Sequence, residues 1–265
     1  MYQDAHRRHL TSVVLELFSA FRIPILPALT LAATLPLAAQ FSTRLSPKTD
    51  QAFDDYRKVV ETQLDGRPRF PAGPRPGQIQ ILPAHGQGAI DVPEGLIHDW
   101  IAATVVSGAT VERALAVLQN YAAYKNVYPS AVLDSKLLRR DGDVFRVSLR
   151  LLKKKVLRVE LNGDFDVQYR PLGNNRWMVA SRSTRIAEME GDQELAAGGG
   201  HGFLWHQNVY WLIEPRPEGV YLECRSLSLS RDIPFGLSLV VKPFLTSVPR
   251  ESLQQTLEDT IRAVR

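Results

Sequence analysis

In residues 144–152, VFRVSLRLL, the side chains of Phe145, Val147, Leu149 and Leu151 share one face while Arg146, Ser148 and Arg150 take the other. That period of two marks a strand dry on one side and wet on the other. Segments of this kind follow one another from residue 131 to residue 233, separated by turn signals at Asp141–Gly142, Gly173–Asn174–Asn175, Gly198–Gly200 and Pro215–Gly219. After them comes one amphipathic helix, in which Leu253, Leu257, Ile261 and Val264 oppose Gln254, Glu258, Asp259 and Arg262. Val248–Pro249 marks its start, since proline suits a first turn. An antiparallel sheet of that length curls, and its concave side must be covered. Only the last helix is long enough to cover it, and one helix leaves a hollow.

Upstream, residues 97–105 read as a strand ending at Ser107–Gly108. A helix follows, with Thr110 as cap, Glu112 in its first turn and Ala114, Leu115, Val117 and Leu118 as its apolar face. A tyrosine-rich piece stops at Pro129. Residues 46–64 carry a helical pattern through Phe53, Tyr56, Val59 and Val60, and GRPRFPAGPRPGQ, residues 66–78, is a linker or extended wrap. The expected organisation is an N-terminal helix and Pro/Gly-rich linker over 40–94 and one domain over 95–265; the segment 40–77 extends that domain or docks a partner.

The stretch TVVSGATVERALAVLQNYAAYKNVYP, residues 104–129, resembles the opening of the START-like superfamily (SRPBCC, polyketide cyclase-like), where a strand leads to a helix pair and an aromatic-rich turn. SRDIPFGLSLVVKPFLTSVPRESLQQTL, residues 230–257, is similar to the way START domains end: last strand, Ile-Pro step, apolar segment, Pro-started helix. The resemblance implies an α+β helix-grip fold, with a curved antiparallel sheet of about seven strands around a long C-terminal helix. It also implies a cavity for a hydrophobic small molecule or lipid, with access through opening of 234–247.

Alternation supplies the candidate lining. Phe145, Val147 and Leu149 face inward on one strand. In GFLWHQNVYWLIE, residues 202–214, Phe203, Trp205, Val209 and Trp211 share the more apolar face with Gln207. Leu253 and Leu257 contribute from the helix, and Arg182 and Arg225 are further candidates, because an inward arginine must meet an anionic group. The aromatic stripe fills a core or lines a pocket; alternation alone does not choose.

Residues 23–39, IPILPALTLAATLPLAA, carry no charge, follow Arg7, Arg8 and Arg22, and end in small residues. That is the order of a cleaved secretory signal over 1–39, which implies a periplasmic or secreted protein. The alternative is an uncleaved membrane anchor, disfavoured by Pro24, Pro27 and Pro36.

Chemistry is harder to find. Lys plus Arg number 32 against 28 Asp plus Glu, a net charge of +4 spread without a stripe, which argues against a nucleic-acid partner. The one cysteine, Cys224, reads as a small buried residue. His201 and His206, five apart, have no neighbouring carboxylate that completes a metal site, and no nucleotide or hydrolase signature stands out, so no metal and no cofactor are expected. Glu160, Asp164 and Asp166 read as solvated. Lys153–Lys154–Lys155 is a charged hairpin edge or a transient contact with a membrane surface. The resulting expectation is a binding or transport protein rather than an enzyme, with a cyclase- or hydrolase-like enzyme using the same cavity as the alternative.

Overall fold

A computed structural model describes residues 43–64, 66–70, 73–154, 158–232 and 238–265, the side chains of residues 238–246 excepted. The apolar run 23–39, most of the access segment 234–247, and Lys155 fall outside these positions in whole or in side chain.

Helix α1 spans Pro47–Thr62, and two short strands follow, β1 (Gln80–Pro83) and β2 (Ala89–Val92). Strand β3 (Gly95–Ser107) leads into α2 (Val111–Gln119), a 3-10 turn (Tyr121–Ala123) and the single-turn α3 (Tyr124–Val127). Next come β4 (Val132–Asp141), β5 (Val144–Lys154), β6 (Arg158–Gly173), β7 (Arg176–Glu190) and β8 (Gln193–Glu194). Strands β9 (His206–Arg216) and β10 (Gly219–Arg231) precede the final helix α4 (Ser238–Val264).

The sheet order is β1-β3-β10-β9-β7-β6-β5-β4, antiparallel throughout, with β2 beside β1 on the edge of β3 and β8 beside β7. From β3 to β4 this is seven strands, about 29 Å if laid flat at the usual strand spacing. A helix with its side chains is about 10 Å wide. Yet Ala102 of β3, Trp211 of β9, Phe165 of β6 and Val132 of β4 share one core with Leu253 and Leu257 of α4. The sheet therefore curls around α4. This is the helix grip.

Local choices agree with it. Ser46 caps α1 by accepting a hydrogen bond from the Thr49 amide at 3.3 Å, with Pro47 next in line. Thr110 does the same for α2 through the Arg113 amide at 3.2 Å. Asn174 and Asn175 have φ of 51° and 56°, the pair of positive values that a two-residue hairpin turn requires between β6 and β7.

The last helix departs from its expected start: it begins at Ser238, and Pro249 lies in its interior. Proline removes one N–H bond but leaves the turns beyond it free to form. The seam of Leu253, Leu257, Ile261 and Val264, all buried against the sheet, carries the helix past that point.

The segment 43–94 is built onto the domain. Helix α1 lies on the convex face, where Phe53 and Val60 pack with Ile97, Tyr210, Leu227 and Leu229. Polar groups fasten it. Asp99, fully buried on β3, accepts two bonds from Arg225 of β10 at 2.8 and 2.6 Å, and the Tyr56 hydroxyl of α1 donates to it at 2.9 Å. Glu61 of α1 accepts from Arg182 at 2.6 Å, Tyr210 at 2.8 Å and Arg57 at 2.7 Å. Glu160, Asp164 and Asp166 each pair with arginines of the same sheet. Cys224 is buried, and burial holds its thiol well above the ordinary range.

Removing one partner of a buried, bidentate pair leaves the other charge uncompensated. Asp99→Asn is expected to cost about 3–5 kcal/mol by urea unfolding, whereas the double change Asp99→Leu, Arg225→Met costs far less. Equal losses in the two proteins contradict this role.

Candidate functional site

The concave face divides along the strands. Toward Ser107 and Gly219 it is apolar: Ala102, Val106, Val220, Leu222, Cys224 and Ile213 pack with the last turns of α4. Toward Gly95 and Arg231 it turns polar, with His98 on β3, Gln207 on β9 and Ser226, Ser228 and Ser230 on β10. The chain leaves β10 at Arg231, beside Gly95, and enters α4 after a short connection.

Between these halves the face is incompletely covered. Leu149, Val159, Ser181, Val209 and Ser226 are half-buried although all five point to the inner side. Ser181, Val209 and Ser226 form one cross-strand row over β7, β9 and β10. A dry core at this position calls for large aliphatic residues, and the chain supplies small hydroxyls instead.

His98 is the group with most chemical character here. It is 3% exposed, and burial pulls its imidazole down to about 4, so the ring is neutral at pH 7. Its Nε2 lies 3.2 Å from the Ser230 hydroxyl, and its Nδ1 has no hydrogen-bond partner. The register also puts Lys153 on the inner face, opposite Val159, and burial pulls its ammonium below the usual lysine range. Tyrosines close the flank near α2 and α3. The Tyr121 and Tyr169 hydroxyls are 2.8 Å apart, Tyr124 and Tyr169 donate to the Leu118 carbonyl at 2.5 and 2.7 Å, and the Tyr128 and Thr260 hydroxyls meet at 3.1 Å.

The candidate residues sort by face. Phe145, Val147, Trp211, Leu253 and Leu257 are buried in the concave core, with Leu149 half-buried beside them. Gln207 faces inward and donates to Ser226 Oγ at 3.0 Å. Arg182 and Arg225 stand on the convex face, where their charges meet Glu61 and Asp99 of the α1 network. Trp205 is also there, packed with Phe53, and Leu204 takes the inner position. The cause is local: β9 begins only at His206, and Gly200 and Gly202, with φ of 86° and 72°, break the alternation before it. Phe203 is 37% exposed and stacks on His201 outside the site. His201 and His206 each meet one carboxylate, Glu188 at 3.1 Å and Asp50 at 2.7 Å, and no group of three metal-ligating side chains forms among the described residues.

No family model matches the chain, and no curated protein matches it. Among solved structures it is similar to the Zhui aromatase/cyclase from Streptomyces sp. R1128, at 12% identity and a TM-score of 0.46, covering 63% of this chain and 93% of that one. It is also similar to a STAR-related lipid transfer protein fragment from Xanthomonas axonopodis, at 16% identity and a TM-score of 0.43, covering 65% and 98%. The human StarD13 lipid transfer and protein localization domain matches at 11% identity and a TM-score of 0.44, covering 84% and 99%. The architecture is a helix grip, an antiparallel sheet curled around α4. That assignment rests on the strand order and register described above.

The neutral His98 has a thermodynamic signature. Its imidazole titrates near 6.5 when unfolded and near 4 when folded. As pH falls the unfolded chain takes up the proton first, so the stability present above pH 6.5 drains away between there and 4. Denaturant unfolding at pH 7 and pH 4.5 is expected to show a loss of about 2–3 kcal/mol from this residue, absent in His98→Phe. An NMR titration in which His98 protonates near 6.5 contradicts the assignment.

Proposed function

We propose that this protein binds a hydrophobic small molecule or lipid between the concave sheet face and α4, and carries it rather than transforming it. The observation that carries this reading is the half-buried inner patch of Leu149, Val159 and Val209 within an otherwise closed apolar core. A guest there removes apolar surface from water at about 25 cal/mol per Å², so 200 Å² of ligand surface gives roughly 5 kcal/mol. The polar end of the face suits a ligand with a polar terminus.

The run 23–39, outside the described residues, is read as an export signal, so the carrier works in the periplasm or outside the cell. A mature N-terminus near residue 40 by intact-mass measurement supports that part. Retention of the apolar run in the membrane fraction replaces it with an anchor. Lys154, exposed at the end of β5, offers charge for transient contact with an anionic membrane surface during loading, whereas Lys153 points inward.

A cyclase- or hydrolase-like activity is the second reading, favoured by one observation: an inward titratable group, His98, beside a serine hydroxyl. Native purification followed by solvent extraction and mass spectrometry separates the two. A carrier yields an apolar compound near one per chain, unchanged on prolonged incubation. Empty protein under every growth condition overturns the carrier, and conversion of the compound favours the enzyme.

Filling the hollow tests its position. Val209→Trp is expected to weaken uptake of N-phenyl-1-naphthylamine at least tenfold with circular dichroism unchanged, because the added ring occupies the guest's volume. Uptake at wild-type affinity by the folded variant contradicts the placement.

A further inference from the structure

His98 and Ser228 sit directly opposite one another, a cross-strand pair of β3 and β10 on the concave face. Both are buried, at 3% and 5% exposure. Their hydrogen-bonding states follow from their neighbours. The Ser230 hydroxyl donates to the Arg231 carbonyl at 3.3 Å, which commits its proton. Its oxygen then accepts from His98 Nε2, 3.2 Å away, so the imidazole carries its hydrogen on Nε2. Nδ1 is left as a bare acceptor, buried and unpartnered. Ser228 Oγ has no hydrogen bond among the described residues, and its proton is free to be donated.

An unpaired buried acceptor is costly, and a facing hydroxyl with a free proton is the complementary half of a two-point site. A group that both donates and accepts fits the pair. A carboxylate gives no proton to Nδ1, and among the described residues no carboxylate pairs with His98 or Ser228 to receive an ammonium ion. We infer that the His98–Ser228 pair recognises a neutral hydroxyl on the bound molecule, which donates to Nδ1 and accepts from Ser228 Oγ. This rests on the carrier reading above and narrows it to hydroxyl-bearing apolar ligands: long-chain or polycyclic alcohols and phenols. Ser230 acts as a positioning residue, since it fixes the tautomer.

Matched probes test this. Delipidated protein is titrated with 1-dodecanol and with 1-methoxydodecane, which share the apolar chain but differ in the donated proton, by displacement of N-phenyl-1-naphthylamine. Wild-type protein is expected to prefer the alcohol by about tenfold. His98→Phe is expected to abolish that preference while keeping the ether's affinity, and Ser228→Ala to reduce it. Equal binding of the two probes by wild-type protein overturns the hydroxyl site and leaves the carrier intact; binding of neither removes the carrier reading itself and this inference with it. Should the variants fail to fold, wild-type protein labelled with 15N-histidine decides. The His98 Nδ1 resonance shifts on addition of the alcohol and not of the ether, and an unmoved resonance overturns the assignment.

Discussion

A seven-stranded arc is too broad for one helix to cover. The rest of the molecule follows from that mismatch. The last turns of α4 seal the apolar half through Leu253, Leu257, Ile261 and Val264, while α2, α3 and their tyrosines close the flank. What remains is a patch of half-buried inner residues, Leu149, Val159, Ser181, Val209 and Ser226. Covering the convex face takes a second device, helix α1, held by Phe53 and Val60 and by the acceptors Asp99 and Glu61. The sheet is dry on both sides near its centre, which accounts for the near-complete burial of β3 and β10.

The two faces use polarity differently. On the convex face, charges are matched, Arg225 with buried Asp99 and half-buried Arg182 with Glu61, while Glu223 accepts from the Tyr221 hydroxyl and the Arg69 amide at 2.5 and 2.7 Å. On the concave face the polar row at the Gly95–Arg231 end is uncharged and only partly satisfied, with His98 Nδ1 the clearest case. Matched ion pairs hold an element in place. An unpaired buried acceptor penalises any guest that brings no donor.

Much of this was legible in residues 131–231, where alternation and turn signals mark the strands and a single amphipathic helix follows. Facing was legible where a strand is long and regular, as for Phe145, Val147 and Trp211. It failed at Trp205, because Gly200 and Gly202 rotate the chain just before β9. Arg182 and Arg225 carried no signal of their side, since their partners Glu61 and Asp99 lie 121 and 126 residues away. His98 went unremarked because IHDWIAATV alternates weakly, and its meaning depends on Ser228 and Ser230, which only strand pairing brings near. The strands β1 and β2 were hidden for a different reason. Each is four residues long and depends on the edge of β3 rather than on its own pattern.

The central claim is that space persists between the concave sheet and α4. Xenon enters apolar cavities and leaves tightly packed cores alone, so methyl NMR under xenon pressure reads that space directly in the delipidated protein. Saturable shifts at Leu149, Val159 and Val209, with Val106 and Leu222 unmoved, are the predicted result. No saturable shift anywhere on the concave face means a filled core and contradicts the claim.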